Sequence, residues 1–191
     1  MGVTDNRDAC SWCDKEKYRF DACRSAAHYK PPLERAVVRF KYHRIRSLGA
    51  PLDHLMVSYM IARPELFADY RAADLVVPVP LHWLRRAWRR FNQAELLGAP
   101  VAAALCLPMS PGLRRIRNNK PQARLKFKER RENVKGIFIV NPDITLKGKT
   151  VVLIDDVMTS GSTVSECAAT LKKGGARKVC VFTVCRRDLG P

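Results

Sequence analysis

The run Val151-Val152-Leu153-Ile154-Asp155-Asp156-Val157-Met158-Thr159-Ser160-Gly161-Ser162-Thr163 carries the strongest chemical signal in the chain. Four apolar residues, as in a parallel strand buried on both faces, end in two adjacent acids. A short turn of small hydroxyl residues around Gly161 follows, and a helical pattern starts there. Ligands of open parallel sheets bind beyond the carboxyl ends of the strands, which is where this order puts Asp155 and Asp156. A glycine lets the backbone approach a phosphate closely, and the N–H groups and dipole of a helix start favour an anion. Thr159, Ser160, Ser162 and Thr163 add hydroxyl donors. Two carboxylates would repel a bare phosphate. They suit sugar hydroxyls, or a Mg²⁺ that accompanies phosphates. The plain alternative makes Asp156 and Ser162 caps of a turn and a helix. It leaves adjacent acids at the end of an apolar strand with no ligand, a costly arrangement.

The elements that must position these residues follow from periodicity. Leu33 to Phe40 and Leu52 to Ile61 have helical spacing, and Asp74 to Val79 is a short buried strand closed by Pro78 and Pro80. Phe91 to Leu105 is expected to be a helix, and Ile137 to Val140 a strand. Thr163 to Lys173 is a helix stopped by Gly174-Gly175, and Lys178 to Val184 is another buried strand. Gly112 to Arg131 has no usable apolar face and is expected to be a long mobile loop. Strands alternating with helices imply an α/β fold with a parallel, doubly wound sheet. Gly148-Lys149-Thr150 mimics the end of a Walker A loop, but position 143 is Asp rather than Gly, and the tripeptide precedes a strand instead of following one.

Residues 151–163 resemble the phosphoribosyl pyrophosphate (PRPP) motif of type I phosphoribosyltransferases. The resemblance implies that Asp155 and Asp156 hold the ribose hydroxyls and that Thr159, Ser160, Gly161, Ser162 and Thr163 bind the 5-phosphate. It extends through Tyr29-Lys30-Pro31-Pro32-Leu33, Phe40-Lys41-Tyr42, Val77-Pro78-Val79-Pro80-Leu81-His82, Arg90-Phe91-Asn92-Gln93-Ala94, Arg115-Ile116-Arg117 with Gln122, and Arg131-Glu132-Asn133-Val134-Lys135-Gly136-Ile137-Phe138. Together these are similar to the ComF/GntX group of phosphoribosyltransferase-like proteins, several of which are linked to uptake of external DNA. Two departures stand out: Arg90 where Gly usually precedes Phe-Asn-Gln, and Asn119 where Thr is usual.

The resemblance implies a type I phosphoribosyltransferase-like sheet flanked by helices over residues 28–191, preceded by a small Cys-bearing appendage over 1–27. It places Lys41, Pro80, Leu81, His82 and Arg90 on the pyrophosphate side. Arg115, Arg117 and Gln122 fall in a mobile loop that closes over the ligand. It implies PRPP with Mg²⁺ as ligands and transfer of the phosphoribosyl group to a nitrogenous acceptor. A homodimer is one assembly to be expected of it. The acceptor stays open, and so does whether turnover occurs or PRPP serves only as a ligand of a DNA-binding protein.

Charge adds a second theme. The 191 residues carry 35 Lys+Arg against 18 Asp+Glu, a net +17. At 47% hydrophobic residues the chain is no disordered polybasic tail. Residues 81–131 hold thirteen Lys/Arg and two Glu, interleaved with Trp83, Trp88, Phe91 and Phe127. Cations along a backbone with aromatics for base stacking are the pattern of single-stranded nucleic-acid binding. The alternative is a solvated basic face with some aromatics in the core. The longest weakly polar stretch, Gly98 to Met109, is far short of the ~18 residues of a membrane span. Met1 to Asp8 has no apolar signal region, so a cytoplasmic protein with reduced cysteines is expected.

Cys10-x-x-Cys13 is half of a zinc-ribbon site. Members of the resembling group often carry two such pairs, so residues 1–27 are expected to be a truncated zinc-ribbon-like appendage. Cys23 and His28 would complete a Cys₃His set; the alternative is a ribbon remnant without metal. Cys106, Cys167, Cys180 and Cys185 sit in apolar contexts, as small core residues do.

Overall fold

The computed structural model describes residues 18–119 and 127–187. In chain order the elements are β1 (Ala22–His28), α1 (Leu33–Tyr42), α2 (Gly49–Ala62), α3 (Ala68–Arg71), β2 (Leu75–Pro78), α4 (Trp83–Arg89), α5 (Gln93–Leu105), β3 (Leu113–Arg115), α6 (Phe127–Val134), β4 (Phe138–Val140), β5 (Thr150–Met158), α7 (Ser162–Lys173) and β6 (Lys178–Arg186). Four strands form a parallel sheet in the order β1-β6-β5-β2. β3 and β4 form a separate antiparallel pair.

The apolar runs of β5 and β6 take the two central positions because both of their faces are covered. Val152, Ile154, Cys180 and Phe182 bury against α1, α2 and α5, with Phe40, Met56 and Leu97 fully enclosed. Val151, Leu153, Val179 and Val181 bury on the other side against α7 and the β3–β4 pair. The alternation follows from the two-residue period of a strand. Phe67, Tyr70 and Phe182 pack as a ring cluster on the first face, and the Tyr70 hydroxyl donates to Val181 O at 2.8 Å. Asp74 Oδ2 accepts from Thr150 N at 2.7 Å and so fixes the start of β5 beside β2. No helix among the described residues is long and apolar enough to cross a membrane.

Two expectations change. The expected division between residues 27 and 28 runs through β1, which pairs with β6 from Ala22↔Cys180 to His28↔Arg186. The sheet therefore begins by Ala22. The sequence Ala-Cys-Arg-Ser-Ala-Ala-His is small and mixed because an edge strand packs mainly on one side. Gly112 to Arg131 is not all loop: Leu113–Arg115 is β3, and α6 starts at Phe127. β3 escaped the periodicity argument because a three-residue strand with one buried residue has no period to detect. Residues 120–126, and with them Gln122, lie outside the described residues.

Candidate functional site

β5 delivers Asp155 and Asp156 to its carboxyl end, at the mouth of a cavity of about 570 Å³. Asp156 is buried and Asp155 partly so. Each folds its carboxylate onto the following amide: Asp155 Oδ1 accepts from Asp156 N at 2.9 Å, and Asp156 Oδ1 from Val157 N at 2.7 Å. Lys41, in the last turn of α1, places Nζ 2.7 Å from Asp156 Oδ1. Burial and the neighbouring Asp156 charge push the Asp155 carboxyl up to about 7, with Lys41 pulling the other way. Burial disfavours the Lys41 ammonium, but Asp156 and Asp155 outweigh it and hold the group above its usual range.

The turn after β5 is built around Gly161, whose φ of +69° is the left-handed conformation that glycine adopts without penalty. Gly161 is the N-cap of α7 and has no side-chain cap bond. The first N–H groups of a twelve-residue helix thus face the turn with no side-chain cap from the N-cap residue. Thr159 and Thr163 line the cavity with the acids, whereas Ser160 and Ser162 share a hydroxyl–hydroxyl bond of 2.9 Å and face a second groove along α7. Tyr18 covers the turn from that side, its hydroxyl donating to Ser160 O at 3.0 Å.

The same cavity has cations in its lining. Arg85 and Arg89 of α4 and Arg115 of β3 line the cavity. Arg89 is buried, donates to Gln93 Oε1 at 3.0 Å, and keeps a buried Nε without a partner among the described residues. The Asn119 backbone carbonyl accepts from Arg85, and the Asn119 side-chain carbonyl accepts from Arg115. Burial together with the Arg85 charge lowers the Arg115 guanidinium to about 10. A cluster of like charges in a partly dry pocket is stable only with an anionic ligand or screening water. Tyr29, Tyr42 and Trp88 also line it, and Arg44 stacks over Trp88 at 4.7 Å.

Most of the residues singled out in the sequence converge here. Asp155, Asp156, Thr159, Thr163, Pro80, Leu81, Lys41 and Arg115 all line the one cavity. Lys41 reaches the acid pair rather than the side that α4 covers. His82 is not in the lining: it is buried as the N-cap of α4, its Nδ1 accepting from Leu84 N at 3.4 Å. Burial and the charges of Arg115 and Arg85 hold its imidazole below the usual range. Arg90 is exposed and not in the lining either; it closes α4 at φ +68°. That conformation is the physical reason a glycine suits the position. Arg117 is exposed and outside the lining.

Cys23 and His28 cannot share a metal. They are five residues apart on β1, about 16 Å at strand rise, and odd spacing sends them to opposite faces. The Cys23 thiol lies 3.3 Å from the Met158 sulfur. Cys10 and Cys13 lie outside the described residues. Sequence reasoning gave Trp88 only a base-stacking role, and gave Tyr29 and Tyr42 none of their own. Arg89 and Gln93 belong to two helices parted by the left-handed Arg90, so their spacing is no face signal and only the fold brings them together.

An acid pair at the end of a parallel strand, a glycine-capped helix start beside it and three arginines in the same cavity define a phosphoribosyltransferase-type α/β protein. Sequence comparison with known proteins agrees. Residues 93–190 match the phosphoribosyl transferase domain. The chain is 35% identical over 180 residues to the DNA utilization protein YhgH of Salmonella typhimurium, covering 93% of this chain and 77% of that protein. It is 30% identical over 181 residues to competence protein F of Haemophilus influenzae, covering 93% and 78%. A crystal structure of adenine phosphoribosyltransferase superposes at a TM-score of 0.42 with 15% identity, over 75% of this chain and 72% of that one. The chain belongs to the ComF-type phosphoribosyltransferase family.

Proposed function

We propose that the chain binds PRPP and transfers its 5-phosphoribosyl group to a nitrogenous acceptor, in a cytoplasmic role in the handling of DNA taken up by the cell. The observation that carries this reading is one cavity whose lining brings together Asp155, Asp156, Thr159 and Thr163 with Arg85, Arg89 and Arg115. A ribose flanked by a phosphate and a pyrophosphate needs those groups together: acids for its hydroxyls, a helix start for the phosphate and guanidinium groups for the pyrophosphate. The partnerless Nε of buried Arg89 suits a pyrophosphate oxygen. In the reaction the C1′–O bond to pyrophosphate breaks, an acceptor nitrogen forms the new bond to C1′, and its proton passes to solvent. Arg85, Arg89 and Arg115 would stabilise the departing charge.

Mg²⁺ fits the donor set through Asp155, because carboxylates plus substrate phosphates are its usual ligands. When bound it would neutralise pyrophosphate charge. The relatives' names, a DNA utilization protein and a competence protein, support the DNA-handling part of the proposal. So does the exposure of Trp83 and Trp88, at 68% and 49%, on the arginine-bearing α4. These rings favour single-stranded DNA as a partner, and a second reading in which PRPP is a ligand of a DNA-binding protein that does not turn over. Calorimetric titration with PRPP and Mg²⁺, followed by a pyrophosphate-release screen over nitrogenous bases and single-stranded DNA, tests both. Binding with release supports the enzyme; binding without release leaves the second reading; no binding ends both.

A further inference from the structure

We propose that Lys41 is the resident cation of the acid pair, filling at Asp156 the position that a divalent metal would otherwise take. The ammonium lies 2.7 Å from Asp156 Oδ1, and the Asp156 side chain is only 5% exposed. That oxygen also accepts from Val157 N at 2.7 Å, and Asp155 Oδ1 accepts from Asp156 N at 2.9 Å. The pair is thus folded inward onto its own strand and neutralised from one direction. Mg²⁺ and Mn²⁺ bind carboxylate oxygen at about 2.0–2.2 Å, so a metal on Asp156 and an ammonium at hydrogen-bond distance from the same oxygen would compete for one small volume. The like charges would oppose one another in a partly dry site.

Lysine suits this task better than arginine. Its charge is compact, and its flexible stem allows the ammonium to be exchanged when other donors, such as sugar hydroxyls, arrive at the carboxylate. The arginines of the cavity are held elsewhere: Arg89 by Gln93, and Arg85 and Arg115 by Asn119. Lys41 reaches the acids because α1 ends beside the carboxyl end of β5, anchored by the fully buried Val37 one turn before it and Phe40 next to it. The ligand-free chain therefore excludes a divalent ion from Asp156. A metal that arrives with a phosphorylated ligand contacts Asp155 and the ligand instead.

The first test needs no assumption about the ligand. Mn²⁺ is titrated into the full chain, free of ligand, and bound ion is followed by electron paramagnetic resonance. The wild type is expected to show no Mn²⁺ uptake that depends on the acids. Lys41→Met, which keeps the length of the stem, should gain a Mn²⁺ site at least tenfold tighter than any in the wild type. Adding Asp155→Asn and Asp156→Asn should abolish that site, and Lys41→Arg should behave as the wild type. Equal Mn²⁺ affinity in folded Lys41→Met and wild type would overturn the proposal. If Lys41→Met does not fold, the wild type still decides: a Mn²⁺ site lost in Asp155→Asn/Asp156→Asn contradicts it, and none supports it.

A second arm rests on the PRPP reading. Calorimetry with PRPP in EDTA and in Mg²⁺ should show a metal dependence at least tenfold steeper in Lys41→Met than in the wild type, and equal dependence would count against the proposal. Failure of PRPP to bind under either condition refutes the PRPP reading alone, and the Mn²⁺ titration still decides Lys41.

Discussion

The ring of Tyr18 lies 2.7 Å from the point that a Cβ on Gly161 would occupy. Tyr18 thus closes the outer side of the turn while the turn's inner side faces the acid cavity, and it holds Ser160 O by its hydroxyl. The turn is clamped between an aromatic ring and the start of α7, and no side chain fits at residue 161.

Gly161→Ala is therefore expected to weaken PRPP binding at least tenfold and to lower stability. The left-handed backbone alone costs about 1–2 kcal/mol for a non-glycine residue. Gly148 is the internal control, since its φ is +74° and nothing lies within 4 Å of its missing Cβ. Gly148→Ala should lower the melting temperature through the same backbone strain and leave PRPP affinity unchanged. Equal affinity in both variants would remove the turn from the site.

Arg90 gives a prediction of opposite sign. It pays the left-handed cost at the end of α4 without lining the cavity. Arg90→Gly should stabilise the fold by about 1 kcal/mol in chemical denaturation, the αL penalty less glycine's extra unfolded freedom. PRPP affinity should stay within twofold. A large loss of affinity would return Arg90 to the pyrophosphate side.

The sequence made the centre of the fold legible because β5 and β6 are apolar on both faces, and such runs have few other interpretations. The acid pair and turn were legible because two carboxylates after a buried strand need a ligand. What stayed hidden depends on contacts between distant residues. β1 shows its identity only when paired with β6, because Ala22–His28 has neither an apolar run nor a clean alternation. The inward turn of Arg89 and the outward turn of Arg86 on α4 cannot be told apart by composition; the former meets Gln93, the latter Glu95 at 2.7 Å. His82 resembled a ligand-facing residue but serves as a cap. Lys41 was expected on the pyrophosphate side; its partner Asp156 lies far along the chain, and only folding joins them.

The elevated Asp155 carboxyl fixes a pH dependence. Its pKa rises from 3.8 to about 7 on folding, so between those values the folded chain keeps a proton that the unfolded chain has released. The unfolded state then binds fewer protons, and this group's contribution to stability falls as pH rises from about 4 to 7. Asp155→Asn removes that loss. Relative to wild type, the variant should gain melting temperature at pH 8 and gain little at pH 4. A gain independent of pH would show that the carboxyl titrates normally in the fold.

The exposed rings of α4 predict the DNA behaviour. Single-stranded DNA binding should weaken steeply with salt, as phosphate contacts release counterions. Trp83→Ala and Trp88→Ala should each weaken it by about 1–3 kcal/mol if a base stacks on the ring. Arg114 is a poorer probe, because its guanidinium already pairs with Asp143 at 2.9 Å. Filter binding across a salt series, with both variants, is the measurement. Unchanged affinity in the double variant would leave α4 as a wall of the cavity alone.

The central claim is that Asp155 and Asp156 bind the ribose hydroxyls in a PRPP site. Calorimetric titration of PRPP with Mg²⁺ into wild type and into Asp155→Asn/Asp156→Asn tests it most directly, with circular dichroism to confirm the fold. The account predicts binding by the wild type and none detectable in the folded double variant, because the amides cannot accept the ribose hydroxyl protons in the same way and the ion pair to Lys41 is lost. Equal PRPP affinity in the two folded proteins would contradict it.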